Sequence, residues 1–452
     1  MTTLQRRRRK TSSGRVPPAL GFALLVAIVV LGIELWVERT APYHVLELET
    51  YDALQRGLEL LRDREDSNTP SAPGQVIIVD IGSLQPSSDR ELLAAAPFTP
   101  RDALRSLLNI LVDAGPAAIG IDIDFSPEGG AYVSPKDDPG FFRTCLHLER
   151  ERNVAVFLGV GRGAGGSRNE WLGNDEFAPL AASLIIPDDT ADITPGGTPG
   201  PYAIAIPPLR SDPGDGSEGR HGGELLSLGV AMAKVLDPDI VTRLGEQHCL
   251  IEAKTERAIV LERGVEEFTV DYSELAGIER AMIRATFDRP SGQWKLPDGW
   301  QSQVKKRLVL VGDVQGSAAA DVFKTTGSRR LASGILMHAG AGATLLRGPL
   351  YVFRHRGRVA IDATLVTVTV AAVGLVRRRK SQPVGRGHQR VSPHNALLLL
   401  PLGFVALTLV MAAWYRILWL DVAFAFFAAV TPFHNEVEHG IDKVLRWLSR
   451  RE

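Results

Sequence analysis

Cysteine and histidine are scarce: the 452 residues include two cysteines and ten histidines. Cys145 and Cys249 lie about a hundred residues apart. Two thiols cannot frame a disulfide scaffold, and both alternatives stay open, one bond between them or two separate buried thiols. No histidine–carboxylate metal spacing, no nucleophile–base pair and no nucleophile elbow occurs, so the common hydrolase chemistries have no foothold. A basic excess is missing too. The whole chain carries 51 Lys/Arg and 52 Asp/Glu, while residues 38–358 hold 34 and 45, a formal net of −11. Nucleic acid and anionic lipid both need a basic field, so neither is a partner of this middle segment.

The missing positive charge sits beside long apolar runs. Arg6-Arg7-Arg8-Arg9-Lys10 precedes the run Ala19 to Ile33, and Arg377-Arg378-Arg379-Lys380 follows the run Val359 to Val376. About 18 apolar residues span a bilayer, and basic residues in short loops stay cytoplasmic. Two further runs, Ala396 to Trp414 and Ile417 to Phe433, are separated only by Tyr415-Arg416. The pattern predicts a cytoplasmic N-terminus (1–18), spans at 19–37, 358–376, 396–414 and 417–433, a basic cytoplasmic loop (377–395) and a cytoplasmic amphipathic tail (434–452). Residues 38–357 then lie outside. No small-x-small cleavage site follows the first run, so it reads as an uncleaved helix rather than a signal peptide. Trp414, Tyr415 and Trp419 are expected in an interfacial aromatic belt.

The middle segment alternates strand-like and helix-like stretches. Gln75 to Gly82, Ala117 to Ser126, Asn153 to Gly161 and Arg307 to Asp313 are nearly continuous β-branched runs, as expected of strands covered on both faces. A helix opens after Thr99 as N-cap with Pro100 in its first turn, burying Leu104, Leu107, Leu108 and Leu111. Another helix covers Gly334 to Leu346. This order predicts a mostly parallel, three-layer α/β domain. Residues 187–222, rich in Pro, Gly and Asp, read as an irregular surface insertion.

Asp80, Asp122, Asp124 and Asp313 fall at or near the carboxyl ends of strands, where open α/β sheets bind ligands. Such carboxylates suit a divalent metal or the amine or hydroxyl groups of a ligand. The plainer alternative is that each aspartate caps its own turn. His338, on the late helix, is a ligand-facing candidate beside the alternative of a satisfied core histidine. Two strings carry no function. Gly161-Arg-Gly-Ala-Gly-Gly166 matches a dinucleotide fingerprint, but no helix opens after it. Gly173-Asn-Asp-Glu-Phe177 is similar to the diguanylate cyclase signature at one short site, on the wrong side of the membrane.

Taken together, these stretches resemble the class-2 CHASE domain, an extracytoplasmic sensor associated with cyclases and histidine kinases, over residues 45–350. The resemblance rests on VIIVDIGS (76–83), Pro100-Arg101, Gly120 to Phe125, SLGVAMAKVL (227–236), and above all RLVLVGDVQGSAAADVFKTT with GILMHAGAGATLLRG (307–348). Two departures stand out: Gly82 and Ser83 replace acidic residues, and Asp313 replaces a small one. The resemblance implies a sensory role, which with the predicted spans makes a multi-pass sensor of the inner cell membrane with an extracytoplasmic stimulus. Family members commonly carry an output domain after the last span, and the short tail here leads instead to the expectation of a separate cytoplasmic effector. A possible homodimer goes with it. No cofactor is expected apart from a possible divalent metal. Arg377, Arg378, Arg379 and Lys380 are the candidate effector contact. The competing expectation is a membrane-anchored extracytoplasmic enzyme or scaffold using the aspartates; with no catalytic constellation, the chain is not expected to be an enzyme.

Overall fold

A computed structural model describes residues 41–68, 74–84, 99–126, 134, 136–161, 171–172, 175–184, 186, 201–206, 225–244, 251–252, 257–258, 265–314, 322–324, 331–353, 357, 360–365, 367, 403 and 406–419. The basic clusters, the first predicted span, the loop 377–395 and the tail 434–452 lie outside these residues, as does part or most of each other span. Cys249 lies outside them too. Among the described residues no helix is long and apolar enough to cross a membrane. The chain divides into two units. One gathers residues 1–43, 355–408 and 421–452, in which a helical piece at 360–365 is described. The larger, His44–Arg354 with Leu409–Leu420, holds the α/β domain.

Helix α1 (Ala41–Asn68) leads into β1 (Val76–Asp80), α2 (Arg101–Asp113), β2 (Ala118–Asp122), α3 (Asp138–Arg152), β3 (Ala155–Val160) and β4 (Ala181–Ser183). After β5 (Pro201–Ala203) come α4 (Leu228–Leu236), β6 (Val265–Thr269), β7 (Ile283–Arg284), β8 (Leu308–Gly312), α5 (Gly334–Arg347) and β9 (Tyr351–Phe353). Strand β10 (Ile417–Leu418) follows much later in the chain. Six strands form one sheet in the order β7-β1-β8-β2-β3-β4, and all five pairings are parallel.

The β-branched runs explain why both faces are covered. In β1, Ile77 and Val79 join one core with Leu104, Leu107 and Leu108 of α2 and Phe141 and Phe142 of α3. Val76 and Ile78 join the other, with Leu228 and Met232 of α4, Ile335 and Leu345 of α5, and Tyr51 and Leu58 of α1. A side-chain period of two delivers consecutive apolar residues to opposite layers. The three-layer prediction therefore holds for the middle segment. Its strands are shorter than the apolar runs, which continue past the last paired residues Asp80, Asp122 and Gly312.

Several local expectations need correction. Helix α2 begins at Arg101, with Pro100 as a cap lacking any side-chain bond; Arg101 is buried in an ion pair with Asp138 at 2.5 Å, and this fixes the helix start instead of Thr99. The insertion 187–222 is not all surface. Its described part includes β5, which pairs antiparallel with β6 and carries Tyr202 into the core opposite Phe268. Cys145 is free and buried on α3, so the disulfide alternative falls; desolvation pushes its thiol well above the usual range. Phe177, the last residue of the cyclase-like string, packs edge-on against Phe142 with ring centroids 5.6 Å apart. It is core. Trp419 is buried while Trp414 and Tyr415 are exposed. Ile417–Leu418 is extended beside β9 rather than helical, and this turns Trp419 inward.

Candidate functional site

The helices following neighbouring strands pack on opposite faces of the sheet. Helices α2 and α3, after β1 and β2, pack on one face; α5, after β8, packs on the other, and β8 lies between β1 and β2. The carboxyl edge of these three strands is therefore the position where an open α/β sheet offers a ligand site. All four predicted aspartates lie along it, but they do not converge on one point.

Asp80 ends β1 nearly buried, and its Oδ1 accepts from the backbone N–H of Gly82 at 3.0 Å. Asp313, just past β8, faces the same glycine. A Cβ at position 82 would stand 2.8 Å from Asp313 Oδ1 and 3.3 Å from Asp80 Oδ1. A larger side chain there would require the Asp313 carboxylate to shift, so Gly82 leaves room for it as it stands. Asp124 accepts from Ser126 N–H at 2.8 Å and Gly161 N–H at 3.0 Å. It ties the ends of β2 and β3 together, and it accounts for the first glycine of the dinucleotide-like string as a loop anchor. Asp80 and Asp124 thus do the turn-capping work that was the plainer alternative. The Asp122 side chain is itself nearly buried, at 8% exposure, while Asp124 and Asp313 keep part of their surface exposed on the same edge.

His338 lies beneath Asp122, with Nε2 3.8 Å from Asp122 Oδ1. Its Nδ1 takes the hydroxyl hydrogen of Tyr202, whose oxygen in turn accepts from Gly229 N–H at 3.1 Å. Complete burial lowers the imidazole to about 3. The ring is therefore neutral, and its approach to Asp122 is not an ion pair but a neutral N–H facing a carboxylate beyond hydrogen-bond range. Burial also pushes the Tyr202 phenol well above its usual range. His338 is a satisfied core histidine one layer below the edge. Among the described residues, no group of three or more His, Cys, Asp or Glu side chains could hold a metal ion. The residues Arg377, Arg378, Arg379 and Lys380 lie outside the described part.

Two constellations escaped the sequence. Arg101 joins Asp138 across the first turns of α2 and α3, with its guanidinium 4.3 Å above the Phe125 ring centre. Asp271, fully buried, is held by Arg62 at 2.9 Å and by Arg416. Neither set has a local signal, because the partners are 37, 209 and 145 positions apart.

Residues 23–376 match the CHASE2 domain family. No curated protein and no solved structure gives a significant match. The match covers more than half of the chain and extends beyond residues 45–350 on both sides. The chain belongs to the CHASE2 domain family, a family of sensory extracellular domains.

Proposed function

We propose that this CHASE2-domain chain is a multi-pass sensor of the inner cell membrane, with both termini cytoplasmic and residues 38–357 outside as the sensing domain. The sensor takes a ligand at the carboxyl edge of β1, β8 and β2 and signals to a separate cytoplasmic effector protein. The observation that carries this reading is the placement of Asp122 and Asp313 on that edge within a member of a sensory family. Carboxylates at such an edge suit a cationic or hydroxyl-bearing ligand, or a divalent metal completed by the ligand itself. Arginine clusters on both sides of the acidic domain support the topology, and the basic loop 377–395 with the amphipathic tail supplies the effector contact. Homodimerisation fits the same scheme, since helices shifting against one another carry a signal readily.

The effector contact is tested in native membranes by photocrosslinking from position 381. The parent chain should capture a specific cytoplasmic protein. Capture should be lost when Arg377, Arg378, Arg379 and Lys380 are all changed to Gln, with Arg386 and Arg390 left to hold the loop's orientation. An identical set of captured proteins from both chains would contradict the proposal.

A further inference from the structure

The segment Leu409–Leu420 is remote in sequence from the α/β domain yet belongs to its body. Ile417–Leu418 pairs in parallel with β9, Tyr351 opposite Ile417 and Val352 opposite Leu418. Ala412 and Leu418 join the core that contains α1, α4 and α5. Between them, Arg416 adopts a left-handed backbone with φ 57°, a conformation that a non-glycine residue keeps only when its surroundings hold it there. Its surroundings do so in three ways. The guanidinium pairs with buried Asp271. It donates to the carbonyls of Gly348 at 2.8 Å and Thr344 at 3.4 Å, closing the carboxyl end of α5. The Arg416 carbonyl accepts from Tyr351 N–H at 2.7 Å.

Asp271 is the hub of this arrangement. Arg62 near the end of α1 donates to it at 2.9 Å, and the Thr344 hydroxyl of α5 accepts from Asp271 N–H at 2.9 Å. One residue therefore gathers α1, α5 and the 409–420 segment. In the topology proposed above, α1 follows the first span, β9 precedes the second, and residues 409–420 turn between the third and fourth. Helix α5 also reaches the ligand edge. His338 faces Asp122, and a Cβ at Gly312, the last residue of β8, would stand 2.9 Å from Ile335 Cδ1. Its 14 residues, at about 1.5 Å each, make α5 a rod of about 21 Å between the edge and the hub.

We propose that Leu409–Leu420 is the output contact of the sensor domain, latched to it by Asp271 between Arg62 and Arg416, and that α5 carries displacement from the strand ends to this latch. The proposal rests on the membrane-sensor reading. Ligand bound against Asp122 shifts the amino-terminal part of α5, and the shift reaches the carbonyls that Arg416 holds. Packed helices move as units, so a small displacement at one end is not dissipated along the rod.

The test uses the full chain carrying Leu418→Cys, a site that is buried in the native chain. Such a thiol reacts with a maleimide only when the turn opens, so its alkylation rate follows the open population. Membranes are permeabilised, so the rate reports the latch whichever side the turn faces; the topology has its own measurement. The parent chain, with Cys145 and Cys249, sets the blank. Arg416→Gln should raise the rate about tenfold or more, consistent with loss of a charge-assisted contact, and Arg416→Lys should lie between. Asp122→Asn, or Gly312→Ala as a second perturbation of the amino-terminal end of α5, should change the rate at least about threefold when Arg416 is present and leave it unchanged in the Arg416→Gln chain. Equal rates with and without the Arg416→Gln substitution would overturn the latch. An edge substitution without effect at position 418, or with the same effect in both backgrounds, would overturn transmission through α5.

Discussion

Asp271→Ala is expected to destabilise the domain by about 3–5 kcal/mol, the cost of breaking a buried ion pair by removing one partner. The aspartate is fully buried, and it accepts from Arg62, Arg416 and Ser273. Without it, the largely buried Arg416 guanidinium loses its ion-pair partner, and Arg62 keeps only Glu274, at 3.3 Å. Arg416→Gln should cost less, since Arg62 still neutralises the carboxylate, and the double variant should recover part of the Asp271→Ala loss. Amide exchange in α1, α5 and residues 409–419 of the full chain reads the effect: protection should fall in all three together, ahead of α2 and α3. The neighbouring arginines hold the Asp271 carboxyl well below the ordinary carboxylate range, outweighing desolvation, which acts the other way. A depressed carboxyl contributes stability that is complete above its unfolded value of about 4 and is lost only as pH falls through the still lower folded value. Mild acid near pH 5 must therefore leave the latch closed. Uniform loss of protection across the whole domain in Asp271→Ala would mean that the hub serves general stability alone.

Acidification should act through His338 instead, costing about 2 kcal/mol between pH 7 and pH 5. The folded imidazole is held at about 3 by burial, against an ordinary value near 6.5. A base whose folded value is depressed is neutral when folded and protonates more readily when unfolded. Stability therefore falls as pH drops below about 6.5 and levels off only near the folded value. The site explains the sign: the ring is fully buried beside the Tyr202 hydroxyl, and a second ring proton would place a full charge there. His338→Gln removes the titrating group, so the variant should lose this slope while starting less stable at pH 7. Protection of α5 measured at several pH values checks both. A parent chain equally stable at pH 5 and pH 7 would show that Asp122 compensates the imidazolium after all.

Legibility in the sequence followed the range of the interactions. The central strands were readable because β-branched runs record two-sided burial residue by residue. The α2 stripe was readable for the same reason, and its start was displaced because Arg101 answers to Asp138, which no local cap signal reveals. Strand-end aspartates were readable as positions but not as roles. Which carboxylate caps a turn depends on backbone N–H groups of neighbouring strands, such as Gly161 for Asp124. The closeness of Gly82 to the Asp313 carboxylate, more than 200 positions later in the chain, left no local signal. Arg416 looked like a simple interruption between apolar runs. Its burial against Asp271 depends on a contact 145 positions away, and no periodicity reports that.

Everything functional above depends on residues 38–357 facing away from the cytoplasm. Single cysteines at Lys305, exposed on the domain surface, and at Ser381, in the basic loop, measure this directly in intact cells with a membrane-impermeant maleimide. The proposed topology predicts that position 305 is labelled at once, and that position 381 is labelled only after the membrane is permeabilised. Labelling of position 381 in intact cells with protection of position 305 would invert the chain in the membrane and contradict its reading as an extracytoplasmic sensor.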